Sequence, residues 1–220
     1  MLERLQKNNP TLYFILDLLA NIIIIVILVY AVRTYLISPF QVYGPSMCDT
    51  LNNIKGTCKD SFGEYLIVNK AGYKFFGAPE RGDIIVLRPP HNSKDFYIKR
   101  IVGLPGEKIK LQNGKVFVYN KGNPDGLELK EYYLNEDNKN KTYPILSKTV
   151  TSYEVPENNY FVMGDNRNKS TDSRSCFSGP GDRDCNDPIN HFLAKDRIEG
   201  KAWVVLWPFN KIRILKNPAY

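Results

Sequence analysis

The sequence predicts a mainly β protein, in which one transmembrane helix near the N-terminus precedes an all-β domain of joined antiparallel sheets. Residues 12–38 form an apolar run of membrane length, and no long 3.6-residue periodicity follows residue 40. Instead, short β-branched and aromatic runs alternate with Gly, Pro, Asn and Asp. The predicted strands are EYLIVNK (64–70), DIIVLR (83–88), FYIKRIVG (96–103), KVFVYN (115–120), NYFVMGD (159–165) and KAWVVLW (201–207).

The apolar run has the properties of an uncleaved membrane anchor. Residues 18–32 are almost wholly apolar, with Asn21 as the one interruption, and the flanks extend the span to the roughly 20 residues that a bilayer requires. A cleaved signal peptide would have a shorter apolar region and an A-x-A site, which does not follow here. A buried core helix is the other alternative, and the β-rich, polar sequence beyond it argues against that.

The charges that flank the run predict its orientation. Arg4 and Lys7 precede it together with the N-terminal amine, and Arg33 is the only nearby cation on the other side. The positive-inside rule therefore favours an N-terminus inside and a domain outside. We expect a cytoplasmic N-terminus over residues 1–11 and a single-pass plasma-membrane anchor over residues 12–38. The extracytoplasmic or periplasmic domain is expected over residues 39–220.

The net charge of +7 comes from 30 basic and 23 acidic residues that are scattered along the chain. Because no Lys/Arg block occurs, nucleic acid is not a predicted partner, and anionic lipid is the alternative source of attraction. Residues 120–152 are polar, rich in Asn and Lys, and poor in strand signals. This segment predicts a peripheral excursion from the β domain.

The four cysteines fall into two sequence-local pairs and form no C-x-x-C motif. In an oxidising compartment they predict two disulfides, Cys48–Cys58 and Cys176–Cys185, although four cysteines allow three connectivities. The alternative is four free thiols in a reducing compartment. An external domain agrees with the first interpretation.

The two histidines indicate neither a catalytic triad nor a metal site. His91 lies in RPPHNSKD and His191 in DPINHFLAKD, and both segments are loop-like. A Ser-His-Asp triad needs a histidine whose tautomer is held by a buried carboxylate. No H-x-x-x-H or D-x-D-x-D-G spacing and no glycine-rich phosphate loop occur, so no metal or cofactor is predicted.

A neutral lysine is the remaining candidate base for a serine. Ser46 follows the anchor in VYGPSMCDTL (42–51), and Lys99 is the lysine with the most apolar neighbours. To act near pH 7–8, its pKa must fall roughly 2–3 units below about 10.4, which burial can achieve. Strict strand alternation gives the opposite result, with Ile98 inward and Lys99 in solvent.

A third segment, GDNRNKSTDSR (164–174), combines turn formers with a high density of charge. It fits either a surface loop or a rigid polar scaffold. In the scaffold, Asp172 would pair with Arg174 or with Arg100 through charge-assisted hydrogen bonds.

Four segments occur in a fixed order: FQVYGPSMCDTL (40–51), RGDIIVL (81–87), YIKRIVGLPGE (97–107) and GDNRNKSTDSR (164–174). On these segments the chain resembles the bacterial type I signal peptidases, and the anchor falls where that family has one. The resemblance implies a signal-peptidase-like catalytic β domain. It also implies a membrane-anchored serine endopeptidase that removes signal peptides from exported preproteins after small residues, without metal or cofactor.

The resemblance assigns a role to each matched residue. Ser46 would be the nucleophile, its backbone N–H would contribute to the oxyanion hole, and Lys99 would be the general base. Ser170 would hydrogen-bond the catalytic lysine. The structural ion-pair cluster would comprise Asp172, Arg174 and Arg100, with Asp165 and Arg167 in the same rigid loop.

Further positions concern the pocket and the departures from the family pattern. Val42 and Ile98 match residues that line the pockets for small substrate side chains. Gly44 stands where some members carry a hydroxyl, which leaves the second oxyanion donor unassigned. Asp49 replaces a common proline and is expected to loosen the turn, and Lys169 replaces a common Asn or Asp.

The partners implied are preprotein signal peptides, the lipid bilayer and the secretion machinery. Two alternative functions are a membrane-tethered regulatory Ser/Lys peptidase and a catalytically inactive, anchored peptide-binding β domain. The presence of both Ser46 and Lys99 argues against the inactive domain.

Overall fold

The computed structural model describes residues 7, 9–54, 56–90, 94–145, 151–178, 185 and 187–220. The chain divides into two compact units, Met1–Ser38 and Pro39–Tyr220. In the first unit, helix α1 (Pro10–Ala31) has a proline in its first turn, where no backbone N–H is needed. It continues as a π-helical segment, Val32–Leu36. Together they form a 27-residue span of mean hydropathy 2.8, long and apolar enough to cross a membrane.

The strands of the chain are short, and they are separated by turns and single-turn helices. They are β1 (Ile37–Tyr43), β2 (Asn53–Ile54), β3 (Thr57–Cys58), β4 (Phe62–Asn69), β5 (Ile84–Leu87), β6 (Tyr97–Gly103), β7 (Lys108–Gln112), β8 (Lys115–Asn120), β9 (Asn123–Glu128), β10 (Ser152–Glu154), β11 (Asn159–Met163), β12 (Leu193–Ala194), β13 (Ile198–Trp207) and β14 (Arg213–Ile214).

Within the described residues the strands form an eight-stranded sheet, a four-stranded sheet and a two-stranded hairpin. The large sheet has the order β1-β4-β13-β5-β6-β11-β12, with β14 paired to β13, and the smaller sheet has the order β10-β7-β8-β9. The registers of the central pairs are antiparallel. The prediction of a mainly β fold with joined antiparallel sheets is confirmed. All six predicted strands are present, whereas the shorter or more polar strands were not predicted.

The two larger sheets are joined by a shared apolar core. Val102 and Phe161 from the large sheet pack with Ile109 and Val118 from the smaller one, and all four are essentially inaccessible to solvent. Gly103 makes this contact possible, because a Cβ there would lie 2.7 Å from a side-chain carbon of Ile109. A second cluster fills the space around the segment that follows β1.

The excursion expected at 120–152 contains more structure than its composition indicates. Strand β9 completes the edge of the four-stranded sheet, and Leu129 and Leu134 are buried. Glu131 and Tyr133 reach charged residues of the large-sheet side, as described below. Residues 146–150 of this segment lie outside the described residues.

The four cysteines form two disulfides, Cys48–Cys58 and Cys176–Cys185, with Cα separations of 5.6 and 5.5 Å. These are the two sequence-local pairs. The first joins the segment after β1 to the β2–β3 hairpin, ten residues further along the chain.

Candidate active site

Ser46 lies in a tight turn directly after the edge strand β1. The turn begins at Gly44, whose φ of +80° is in the left-handed region that glycine adopts without strain. Met47 and Leu51 are fully buried, and the Leu51 N–H donates to the Met47 carbonyl at 2.8 Å. These buried side chains anchor one side of the turn, and Ser46, on its other side, remains half-buried.

Lys99 lies on β6, which pairs with β5 on one side and β11 on the other. Every residue of this strand after Tyr97 is buried, so neither face reaches solvent, and Lys99 is only 3% exposed. The outward-facing alternative for Lys99 is therefore wrong. Its Nζ lies 2.9 Å from Ser46 Oγ and donates to the Ile98 carbonyl at 2.9 Å.

The electrostatic environment disfavours the charged form of Lys99. Burial lowers the pKa of Lys99 to about 8, while the more distant Asp172 acts in the opposite direction. Among the described residues, no carboxylate lies within ion-pair distance of its Nζ. An amine in this setting is neutral in a substantial fraction of molecules near neutral pH.

A cavity of about 300 Å³ opens beside Ser46 and Lys99. Its walls are mainly apolar, as in most small-ligand and peptide sites. The Ser46 N–H has no hydrogen-bond acceptor among the described residues. The cavity is lined by Phe40, Gln41, Val42, Tyr43, Gly44, Pro45, Ser46, Leu66, Val86, Phe96, Tyr97, Ile98, Lys99, Lys169 and Thr171. The structure thus brings the expected pocket residues together with the serine and the lysine.

Ser170 does not make the hydrogen bond to Lys99 that the family resemblance implies. Its Oγ is buried and has no hydrogen-bond partner. It packs against Gly164, where a Cβ would come within 2.2 Å of that oxygen and 2.4 Å of the Ser46 carbonyl oxygen. The Ser170 hydroxyl helps to lower the pKa of Asp172, although the two groups do not meet hydrogen-bond geometry.

The expected ion-pair cluster is divided into separate pairs. Asp172 pairs with Arg174, which donates from Nε at 2.9 Å and from Nη2 at 2.8 Å. Burial alone would raise the pKa of Asp172, but Arg174 and the hydrogen bond from the Gly164 N–H act in the other direction, and the net shift is downward. Arg100 instead pairs with Asp165, through donors at 2.8 and 2.7 Å. Of the two pairings left open for Asp172, the structure therefore has the one with Arg174.

Asp165 and its neighbour Asn166 hold the serine segment through hydrogen bonds. Thr50 Oγ1 donates to Asp165, which links the end of the serine turn to the Arg100 pair. The Asn166 N–H donates to the Ser46 carbonyl at 3.0 Å, and its side chain donates to the Pro45 carbonyl. The sequence analysis missed Asn166, although it lies inside the charged segment 164–174.

Arg167 connects this loop to the excursion. Both of its terminal nitrogens donate to Glu131, and it also contacts Thr142. The Tyr133 ring lies 4.0 Å from the Arg100 guanidinium carbon. Glu131 was not recognisable in the sequence, because it precedes an Asn- and Lys-rich stretch that is typical of solvated loops.

The two departures from the family pattern have different surroundings. Asp49 Oδ2 accepts from the Asn135 N–H at 3.0 Å and from Asn138 Nδ2 at 3.1 Å. Instead of loosening the turn, Asp49 ties it to the excursion, and burial raises its pKa. Lys169 is exposed at the cavity rim and forms no ion pair with the described residues.

His191, the histidine that the structure describes, does not line the cavity beside Ser46. His91 lies outside the described residues. His191 Nδ1 contacts the Ser173 carbonyl at 2.7 Å, and its ligand atoms group with Cys176 and Cys185 within 4.8 Å. Because those sulfurs are joined in a disulfide and the thiolate is the metal-binding form, this group offers one imidazole only.

Known proteins resemble this chain over most of its length. The family described as "Signal peptidase, peptidase S26" matches residues 15–207. Signal peptidase I P of Bacillus subtilis subsp. natto is 37% identical, over 97% of this chain and 98% of that protein. Signal peptidase I T of Bacillus subtilis (strain 168) is 34% identical, over 97% and 95%. A solved signal peptidase I from Enterococcus faecalis V583 is 30% identical, covers 57% of this chain and 97% of its own, and gives a TM-score of 0.40.

The matches define the class of protein first: it is a hydrolase of the serine peptidase type. The chain belongs to the bacterial type I signal peptidases of family S26, which confirms the resemblance seen in the four ordered segments. Cleavage of signal peptides from preproteins is the activity that this membership supports.

Proposed function

We propose that the protein is a membrane-anchored signal peptidase that works through a Ser46/Lys99 dyad. The 2.9 Å separation between Lys99 Nζ and Ser46 Oγ, within an almost fully buried environment, is the observation that carries this proposal. A general base must lie within about 2.6–3.2 Å of the group that it deprotonates. The lowered pKa of Lys99 supports the same role.

In the proposed mechanism, neutral Lys99 accepts the proton of Ser46 as Oγ attacks the scissile carbonyl carbon. The Ser46 N–H is directed at the developing oxyanion, and a second donor is not assigned because Gly44 has no side chain. Collapse of the tetrahedral intermediate breaks the C–N bond, and the Lys99 ammonium gives its proton to the leaving amine. Neutral Lys99 then takes a proton from water as the water oxygen attacks the acyl carbonyl carbon, and it returns a proton to Ser46 Oγ as the ester C–O bond breaks.

We propose that the substrate binds as an added strand between β1 and the start of β6. Within the described residues, β1 pairs with β4 only, so its other edge has free backbone donors and acceptors. Val42 and Ile98 line the cavity beside Ser46. Their bulk and the limited cavity volume favour small substrate side chains next to the cleaved bond.

The anchor and its location belong to the same proposal. The span Pro10–Leu36 would cross the plasma membrane once, with the N-terminus in the cytoplasm and the β domain on the outer side. Signal peptides are themselves membrane-inserted, so an anchored enzyme meets their cleavage sites at the same surface, beside the secretion machinery. Protease added outside spheroplasts should digest the domain and spare the N-terminus.

A preprotein with an A-x-A junction tests the dyad directly. We expect Ser46→Ala and Lys99→Ala, reconstituted as full chains, each to abolish cleavage while circular dichroism remains that of a folded β protein. Lys108→Ala is the matched control, because Lys108 is exposed on the smaller sheet and remote from the cavity. A folded Lys99→Ala enzyme with normal turnover would refute the dyad.

A further inference from the structure

The nucleophile lies on a loop whose two ends are joined by one buried side chain. We define the serine loop as residues 44–52. Asn52 Nδ2 donates to the Gly44 carbonyl at 3.0 Å and approaches the Val42 and Ser61 carbonyls at 3.4 Å. Asn52 is 0% exposed, so these contacts exclude water. The side chain therefore closes the loop from its last residue back to its first.

Local sequence features allow Asn52 to occupy this position. Its φ is +62°, in the left-handed region that asparagine adopts more readily than most residues. Asn52 Oδ1 also accepts from the Glu64 N–H at 2.9 Å. A Cβ at Gly63 would lie 1.7 Å from that oxygen, so only glycine leaves room for it.

A charged pair holds the same end of the loop. Glu64, which is 1% exposed, accepts from the Asn52 N–H at 2.8 Å and from Arg213 Nη1 at 2.7 Å. Arg213 Nη2 donates to the Thr50 carbonyl at 2.7 Å. Arg213 comes from β14, 149 residues away from Glu64 in sequence. Two distant parts of the chain, β4 and β14, thus converge on Thr50 and Asn52 at the end of the serine loop.

We infer that Asn52, Glu64 and Arg213 are positioning residues that fix the Ser46 hydroxyl relative to Lys99. None of the three lines the cavity or contacts either member of the dyad. Every hydrogen bond that they make to the loop falls at its two ends, at Gly44, Thr50 and Asn52. A displacement of about 1 Å in a reacting group can lower the rate about 100-fold. Loosening the two ends of the serine loop should therefore slow the chemical step and leave substrate binding unchanged. This inference rests on the proposed function of the dyad.

The structure supplies a matched pair of variants for the test. In the Arg213–Glu64 ion pair the side chains are 35% and 1% exposed, and in the Lys201–Asp83 pair they are 31% and 1% exposed. Lys201 lies on β13, where it pairs with residues of β4 and β5, and it contacts no residue of the serine loop. Arg213→Met and Lys201→Met therefore each remove a cation from a buried carboxylate, and only the first releases the loop.

The measurement is kcat and KM of the full chain in detergent, on a peptide with an A-x-A junction, per folded molecule. We expect Arg213→Met to lower kcat about tenfold with KM changed less than twofold, and Arg213→Lys to recover part of that loss. Lys201→Met should retain kcat within twofold. Asn52→Gly, which tolerates the positive φ, should lower kcat more than Arg213→Met and provides the test if Arg213→Met does not fold.

Equal kcat in Arg213→Met and Lys201→Met, together with normal kcat in Asn52→Gly, would overturn the positioning role. A change confined to KM would also overturn it, because it would place the network in substrate binding. Ser46→Ala and Lys99→Ala, assayed alongside, separate this failure from failure of the proposed function, since normal turnover in either of these variants would refute the dyad itself.

Discussion

Lys99 and Arg100 are neighbours on β6, and both are almost completely buried, at 3% and 2% exposure. Burial lowers the pKa of Lys99 to about 8, and its Nζ hydrogen-bonds the Ser46 hydroxyl and a backbone carbonyl and lies 5.2 Å from the Tyr97 ring centroid. Burial also acts to lower the pKa of Arg100, but Asp165 accepts two of its hydrogen bonds and the net shift is upward. The two cations differ in whether a carboxylate accompanies them.

This difference separates a base from a structural cation. A lysine whose pKa falls from 10.5 to about 8 has its charged form disfavoured by roughly 3 kcal/mol. Burying this lysine therefore lowers the stability of the folded protein near neutral pH, and it provides a reactive amine. Arg100, by contrast, keeps its charge and orders Asp165 and Thr50 around the serine loop. Under the proposed function, the strand places one residue in the reaction and the next one in its support.

Exchanging the cations should have the largest effect. Lys99→Arg keeps a cation at the site, but a guanidinium cannot deprotonate near neutral pH, so we expect kcat to fall by about 10³-fold. Arg100→Lys keeps a charge for Asp165 and should lose less than about tenfold. Steady-state cleavage of an A-x-A peptide measures both. Comparable losses in the two variants would remove the functional distinction between the neighbours.

Removing the carboxylate that pairs with Arg100 should have the second-largest effect, and this effect should be on stability. Asp165→Asn leaves Arg100 buried without a counter-charge, and breaking a buried pair in this way costs about 3–5 kcal/mol. Urea unfolding of the full chain in detergent should therefore show a lower midpoint. Lys108→Ala, which removes an exposed ion pair, should shift that midpoint little. An unchanged midpoint for Asp165→Asn would show that Arg100 does not depend on its partner.

The pH dependence of activity tests the proposed role of Lys99 as the base. Because Lys99 acts as a base only when neutral, kcat should rise with pH toward a plateau above about pH 8 and fall about tenfold per unit below it. The wild-type rate between pH 5 and 10, on a substrate without titratable groups, provides the measurement. A profile that is flat between pH 6 and 9 would assign the base to another group.

The same shift predicts a pH effect on folding. Since the folded-state pKa of Lys99 lies below its unfolded value, the unfolded chain binds more protons between about pH 8 and 10.5. Stability should therefore rise with pH across this window, by up to roughly 3 kcal/mol from Lys99 alone. Lys99→Met should lack this contribution, so the difference in unfolding free energy between the two proteins, measured at pH 7 and pH 10, should change with pH. A constant difference would contradict it.

A third cation, Lys169, should give the smallest effect. It lines the cavity but is exposed, and interactions of exposed charges are worth only about 0.2–1 kcal/mol. Lys169→Glu should change kcat/KM by at most about fivefold, in favour of substrates with basic side chains near the cleaved bond. Peptides that differ only by Glu or Lys at that position measure the change. A loss as large as that of Lys99→Arg would place Lys169 in the chemistry.

Residue patterns were sufficient to predict the apolar N-terminal helix, six of the strands and the segments that meet at the cavity, whereas the seven-residue strand β1 was not predicted. Strand alternation gave the wrong orientation for Lys99, because it assumes that one face of a strand meets water. Here β6 is buried on both faces by neighbouring layers. The apolar neighbours of Lys99 left burial open as one alternative, and the motif as a whole, which places Ser46 and Lys99 in fixed order, favoured it.

The supporting contacts were harder to predict because their partners are far apart in sequence. Arg213 meets Glu64 across 149 residues, and Arg167 meets a glutamate 36 residues earlier in a stretch of loop-like composition. Single charged residues in such segments look the same whether they are solvated or paired. The hydrogen bond expected from Ser170 to Lys99 is also absent, and Ser170 Oγ instead lies against Gly164 with no hydrogen-bond partner among the described residues.

The Cys48–Cys58 disulfide gives the serine loop a dependence on cellular compartment. The bond closes a ring spanning ten residues of sequence separation, and rings of this size restrict the unfolded chain by about 3 kcal/mol. Thiols of a newly made copy remain reduced in the cytoplasm and oxidise after export. With the β domain on the outer side of the membrane, as we propose, each molecule would gain the final rigidity of its serine loop only after that domain has crossed the membrane, so that maturation of the enzyme follows the route of its substrates.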